Sequence, residues 1–409
     1  TVGGVFSIVS GLAELTLRAR RVPAFSRRSP IYAGLLGVLF VVVAGNIDGL
    51  IQVFQGAVRV FFQNEGFGQF DFWRSSRMMA PDSLGHEITE FPFFTFLFAD
   101  LHAHLIAIPV AITALGATIA AFLRIGRNRP KFEIMTGLVV IGVLVGSLRT
   151  INAWDFPTQL ILTGTFLIGG QLLSSRRVFL ERLMIGIAST MLVIIIGYVV
   201  YLPFHASFEL FNNGVVKSQF TTELWRYILI YSIFIFLIIS WVVFTWRERL
   251  YQAFTLLANP PMPGAGLAGW TWQVVMILLL AVAASLTVTG FAVIAFALMI
   301  AASIFAAGLV AHRSGISGSR YSLVAVGLAV MAMALTIGVD IFTVKDDIGR
   351  MNTVFKFYLQ AWVLFGIASA YFLWVLADAG KLSLSGVRVG RGVWMGLLAI
   401  LVVGVMLYP

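Results

Sequence analysis

The sequence predicts an all-α protein, a polytopic bundle of about 12 transmembrane helices forming one domain over residues 1–409. Three observations predict it. Hydrophobic residues make up 59% of the chain and charged residues 11%, where soluble domains carry about a quarter charged. The apolar residues fall in blocks about 18–25 long, enough to cross a bilayer as helix. The charges also sort by loop, with basic residues and carboxylates on alternating sides. Helices satisfy their own backbone in hydrocarbon. A transmembrane barrel would show short alternating segments instead.

The expected spans cover about 2–17, 31–52, 103–123, 133–149, 157–174, 183–203, 226–246, 271–288, 290–311, 321–339, 355–377 and 391–408. One set of connecting loops carries Arg18, Arg20, Arg21, Arg27, Arg28, Arg124, Arg127, Arg129, Lys131, Arg176, Arg177 and Arg182. Further along, the same set holds Arg247, Arg249, Arg313, Arg320, Lys381, Arg388 and Arg391. The positive-inside rule puts these loops in the cytoplasm. Most carboxylates, and the histidines other than His312, fall on the opposite side. The expected location is the cell membrane, with the polar chemistry extracytoplasmic.

This sorting also disposes of nucleic acid as a partner, despite a net charge of +10. With no cysteine, disulfides and thiolate metal sites are excluded. The spans are nearly free of charge, which weighs against an ion-coupled transporter with a midplane site. Thr1 opens inside an apolar run, Val2–Leu17, without a cleavable signal peptide. An N-terminally incomplete chain is the expectation.

The longest external region is about 53–102. Val53, Ala57, Val58 and Phe61 share one helical face, with Gln52, Gln55, Arg59 and Gln63 on the other. That pattern suits a helix lying in the membrane interface, or an extension of the preceding span. In Phe72-Trp73-Arg74-Ser75-Ser76-Arg77, two guanidiniums three residues apart beside an indole suit a phosphate with an attached sugar. They also suit an interfacial aromatic belt with snorkelling arginines, which the residues alone favour.

Glu90 and the run Asp100-Leu101-His102-Ala103-His104 follow. Carboxylate and imidazoles at this spacing point one way in an extended segment and form a plausible ligand set for a divalent ion. In a helix His102 turns away, and Asp100 then reads as an N-terminal cap. Asn152-Ala153-Trp154-Asp155-Phe156-Pro157 is a short external turn. Capping of the next helix explains Asp155, but not Asn152 or Trp154. The loop 203–225 has no recognisable motif.

The smaller external region is about 339–354. It mixes Asp340, Asp346 and Asp347 with Arg350, and Asn352, Lys356 and Gln360 follow on one face of a helix. That face could receive a lipid phosphate, or the charges could pair and fix the loop.

Four stretches, Asp71–Arg77, Glu90–His104, Asn152–Pro157 and Arg350–Trp362, resemble the "YYY" (Chlor-Arch YYY) family of bacterial and archaeal polytopic membrane proteins. The family's naming run of tyrosines would lie upstream of Thr1. The family is distantly similar to the GT-C type of glycosyltransferase, which uses lipid-linked sugar donors. By analogy the resemblance implies glycosyl transfer from a polyprenyl-phosphate sugar to an extracytoplasmic acceptor. Asp100 or Glu90 would be the general base, and Asp100, His102 and His104 would hold a divalent metal such as Mg or Mn. Trp73, Arg74, Arg77, Asn152, Asp155, Asp347, Arg350, Asn352 and Lys356 would bind substrate, with Arg74, Arg77, Arg350 and Lys356 on the donor phosphate. The rival is a non-enzymatic component: a lipid or solute translocator, or a structural subunit with other membrane subunits as partners.

Overall fold

Long apolar runs become long helices, Pro109 inside α5 included, and the polar stretches between them become the connections. A computed structural model describes residues 1–22, 29–79, 81–82, 85–99, 101–127, 130–174, 178–209, 214–258, 284–378 and 388–409. The helices are α1 (Val2–Ala19), α2 (Ser29–Val38), α3 (Asp48–Phe62), α4 (Pro92–Phe98), α5 (Ala103–Arg124), α6 (Lys131–Ile151) and α7 (Asp155–Leu172). They continue as α8 (Phe179–Val200), α9 (Leu202–Ser207), α10 (Leu224–Ala258), α11 (Ala292–Arg313), α12 (Ser319–Ile341), α13 (Met351–Asp378) and α14 (Arg388–Met406). Two short antiparallel ribbons join loops: β1 (Pro81–Asp82) with β2 (Gly85–His86), and β3 (Val215–Lys217) with β4 (Phe342–Val344).

Among the described residues, eight helices are long and apolar enough to cross a membrane, or nine if a bent pair counts as one span. The remaining expected spans differ for separate reasons. Helix α7 forms but carries Thr158, Gln159, Thr163 and Gln171. Helix α14 is a shorter apolar helix over Gly392–Met406. Most of 271–288 lies outside the described residues.

The bent pair replaces the expected span 31–52. Helix α2 runs through a π turn at Leu39–Val43 and stops, and α3 leaves at 66°. Polar bonds fill the break. Asn46 Nδ2 donates to the Ser75 carbonyl at 2.6 Å, and its Oδ1 accepts from the Asp48 amide at 3.1 Å. Helix α3 turns Gly49, Gln52 and Gly56 inward and leaves Phe54, Phe61 and Phe62 exposed.

Helix α13 is the central post, with 89% of its apolar window buried. It packs against α1, α2, α10 and α12. Trp362 at its middle is fully enclosed, its indole donating to the Phe40 carbonyl at 3.1 Å. Helix α8 is the opposite case, with 17% buried. It holds α6 through glycines: a Cβ on Gly146 would lie 2.6 Å from Gly197 Cα. Bare backbone contact is how helices approach closely where lipid removes any hydrophobic drive between them.

Candidate functional site

Three helix faces converge at the end of the bundle that carries the carboxylates. On α5, His104, Ile108, Ile112 and Leu115 follow helical spacing; on α7, Asp155, Gln159 and Leu162; on α13, Lys356, Gln360 and Val363. Each face is polar at its end and apolar one turn deeper. The cavity between them is about 50 Å³, room for roughly three or four waters.

Lys356 is the hub. Its Nζ lies 3.1 Å from His104 Nδ1. With Lys356 donating, the imidazole proton sits on Nε2, which faces Glu90 Oε2 at 3.9 Å. Asp155 approaches Lys356 from α7 and is held by Asn152 Nδ2 on its Oδ2. Gln360 is fixed from two sides, accepting from Thr158 Oγ1 and donating to the Trp154 carbonyl at 3.1 Å. The two stretches that the charge pattern assigns to one compartment, around His104 and around Lys356, therefore meet in one constellation.

Glu90 lies two residues before α4, beside the cavity-lining His104. It accepts from Thr95 Oγ1 at 3.2 Å and lies 3.8 Å from Arg77 Nη1. Burial pushes its carboxyl up, while Arg77, the Thr95 hydroxyl, Lys356 and His102 pull it down; the net shift is upward. A carboxyl raised in this way, beside Arg77 and His104, has the character of a proton acceptor. Arg77 stacks over the Trp73 ring at 5.3 Å, and that ring rests edge-on against Phe94 and Phe98.

Four other residues expected to bind substrate, Arg350, Asp347, Asn352 and Arg74, are engaged elsewhere. Arg350 is 2% exposed. Its Nε donates to Glu87 and its Nη1 to Asp340, both at 2.5 Å, and its Nη2 donates to Thr222 Oγ1 at 3.1 Å. The carboxylates outweigh burial and hold its charge more firmly than usual. Asp347 accepts from the Asn352 and Thr353 amides, from Asn352 Nδ2 and from Thr353 Oγ1, so it caps the start of α13. In this loop Arg350 pairs with Asp340 while Asp347 holds the helix start, and Lys356 and Gln360 face the cavity. Arg74 grips Asp48 through Nε and Nη2 at 2.9 and 2.7 Å, pinning its loop to the start of α3.

Asp100 lies outside the described residues. His102 and His104 stack at 5.9 Å. Among the described residues no three His, Asp or Glu side chains are grouped to hold a metal. An ammonium 3.1 Å from His104 Nδ1 also repels a divalent ion at that nitrogen.

Sequence reasoning missed Thr158 and Gln159, and with them Glu87 and Thr222 as partners of Arg350. Two adjacent polar residues in an otherwise apolar run were the available signal for the first pair. Gln159 is 4% exposed, and its Nε2 has no partner among the described residues.

No curated protein matches the chain, and no solved structure does. A family model described as "Uncharacterized membrane protein (DUF2298)" matches residues 1–365. The chain therefore belongs to the DUF2298 family of membrane proteins, the YYY group that its motifs resemble.

Proposed function

We propose that this protein is a membrane glycosyltransferase that moves a sugar from a polyprenyl-phosphate donor to an acceptor outside the cytoplasm. The observation that carries this reading is the cluster of Glu90, Arg77, His104 and Lys356, of which His104 and Lys356 line a water-sized cavity. One carboxylate with a raised pKa stands among cations that could neutralise a leaving phosphate. The cell-membrane location and the extracytoplasmic side rest on the positive-inside rule.

In this reading Glu90 takes the proton of the acceptor hydroxyl. The hydroxyl oxygen bonds to the anomeric carbon from the face opposite the phosphate. The bond from that carbon to the phosphate oxygen breaks, and its electron pair leaves on the lipid phosphate. Arg77 and Lys356 hold that phosphate, and Asp155 with Asn152 positions Lys356. Trp73, exposed beside Arg77, offers a stacking face to the sugar. The cavity is too small for a sugar or a prenyl chain. Both reactants therefore meet at the rim, with the tail left in the bilayer. Asp100 is retained as a second candidate base. No step needs the metal considered for Asp100, His102 and His104.

The test uses full-length protein in liposomes containing a panel of labelled polyprenyl-phosphate hexoses. Transfer or slow hydrolysis of a donor is expected. Glu90→Gln should lower it by about 10²-fold or more. A base must be deprotonated to act, so activity should fall as pH drops through a value above the ordinary glutamate range. Undiminished turnover in Glu90→Gln would remove Glu90 from the chemistry. The rival is a structural subunit of a larger membrane complex. Failure to turn over any donor, together with a stoichiometric membrane partner on purification, would decide for it.

A further inference from the structure

The arginine-rich end of the bundle carries a larger cavity than the carboxylate end, about 460 Å³ against about 50 Å³. It is a groove between α5 and α6, floored by α7 and α8. Small residues make the room: Ala117, Ala120 and Ala121 on α5, and Gly137 on α6. Its depth is apolar, with Leu138, Val140 and Leu167 among the lining residues. From Ala117 to Arg124 the groove runs seven helical residues, about 10 Å along the axis.

Charge marks its mouth. Arg124 and Arg127 line it, and Lys131 starts α6 beside it. Glu133 pairs with Arg124 at 3.0 Å, which leaves the rim with an excess of positive charge. Arg127 makes no side-chain hydrogen bond or ion pair among the described residues, and it faces the like charge of Arg320. A guanidinium held near another guanidinium, at the mouth of a largely apolar groove lined by exposed Phe132 and Ile134, lacks an anion.

We propose that this groove binds an anionic phospholipid from the leaflet at the arginine-rich end, its phosphate between Arg124 and Arg127 and one acyl chain along Ala117, Ala120 and Gly137. The chemistry needs both halves. A phosphate alone gains little at a half-exposed rim, whereas a chain gains by filling apolar space that would otherwise be empty. A basic pocket between helices on the cytoplasmic side is where anionic head groups are favoured. The proposal is independent of any activity at the other end.

The experiment equilibrates the full chain in detergent with equal amounts of phosphatidylglycerol and phosphatidylcholine, and native mass spectrometry counts the retained lipid. About tenfold preference for phosphatidylglycerol is expected from two arginines. Arg127→Gln should bring the two lipids close to equal. Gly137→Leu should reduce retention of both. A Cβ at Gly137 meets nothing within 4 Å, so that variant should fold. Equal retention of the two lipids by the unaltered chain would overturn the proposal. So would a Gly137→Leu protein that folds and keeps its lipid, or displacement of the lipid by millimolar inorganic phosphate.

Discussion

The two ends of the bundle use arginine in opposite ways. At the carboxylate end, Arg350 is enclosed between Glu87 and Asp340, and its bonds join two loops and the end of α12 to the start of α13. At the arginine-rich end, two guanidiniums bind backbone carbonyls left open where helices stop. Arg182 donates to the Leu172 and Ser174 carbonyls at the end of α7, and Arg320 to those of Phe122 and Ile125 at the end of α5. The first use takes a charge out of water and depends on every partner being present. The second leaves the charge partly solvated and closes a helix terminus with a favourable dipole. One side chain therefore serves as a tertiary lock at one end and as a local cap at the other. The two should fail with very different severity.

The largest effect tests the lock. Arg350→Met leaves Glu87 and Asp340 buried without their cation and should cost about 3–5 kcal/mol, read as a large drop in thermal unfolding temperature in detergent. Adding Glu87→Gln and Asp340→Asn removes the stranded charges and should recover most of the loss. An Arg350→Met protein as stable as the parent would show that water already reaches this network, and the contrast between the ends would vanish.

How far the sequence carried follows from the same contrast. Period and composition fix a helix wherever the run is long and apolar, so α5, α6, α8, α11, α12 and α13 stand close to their expected spans. The break between α2 and α3 was not legible. It depends on Asn46 and Asp48 finding Ser75 and Arg74 some thirty residues away, and no local pattern encodes that. The site was half legible. Glu90, His104, Asp155 and Lys356 stood out as polar residues flanking apolar runs, and they meet. Arg350 and Asp347 stood out for the same reason and turn inward instead. Charge in a loop signals that a partner exists, without saying whether the partner is a ligand or another loop.

An intermediate effect belongs to Arg74. Its carboxylate partner Asp48 is buried, but the guanidinium is about one-third exposed. Water can therefore stand in for part of what is lost. Arg74→Ala should cost about 1–2 kcal/mol. The consequence should be local, with faster proteolysis within 63–79 while the unfolding temperature falls less than in Arg350→Met. A global loss as large as that of Arg350→Met would place Arg74 with the lock and extend the lock to α3.

The smallest effect belongs to the caps. Arg320→Met gives up two hydrogen bonds to carbonyls near solvent, and water can replace the guanidinium there. A loss of about 1 kcal/mol is expected. Arg320 has no carboxylate partner among the described residues, so the methionine strands no charge, and it removes one donor, Nε, that is itself unpartnered. Hydrogen exchange should report fraying over the last turn of α5 with the rest of the bundle unchanged. If α12 also loosened, Arg320 would be holding two helices together rather than closing one, and the arginine-rich end would work like the other.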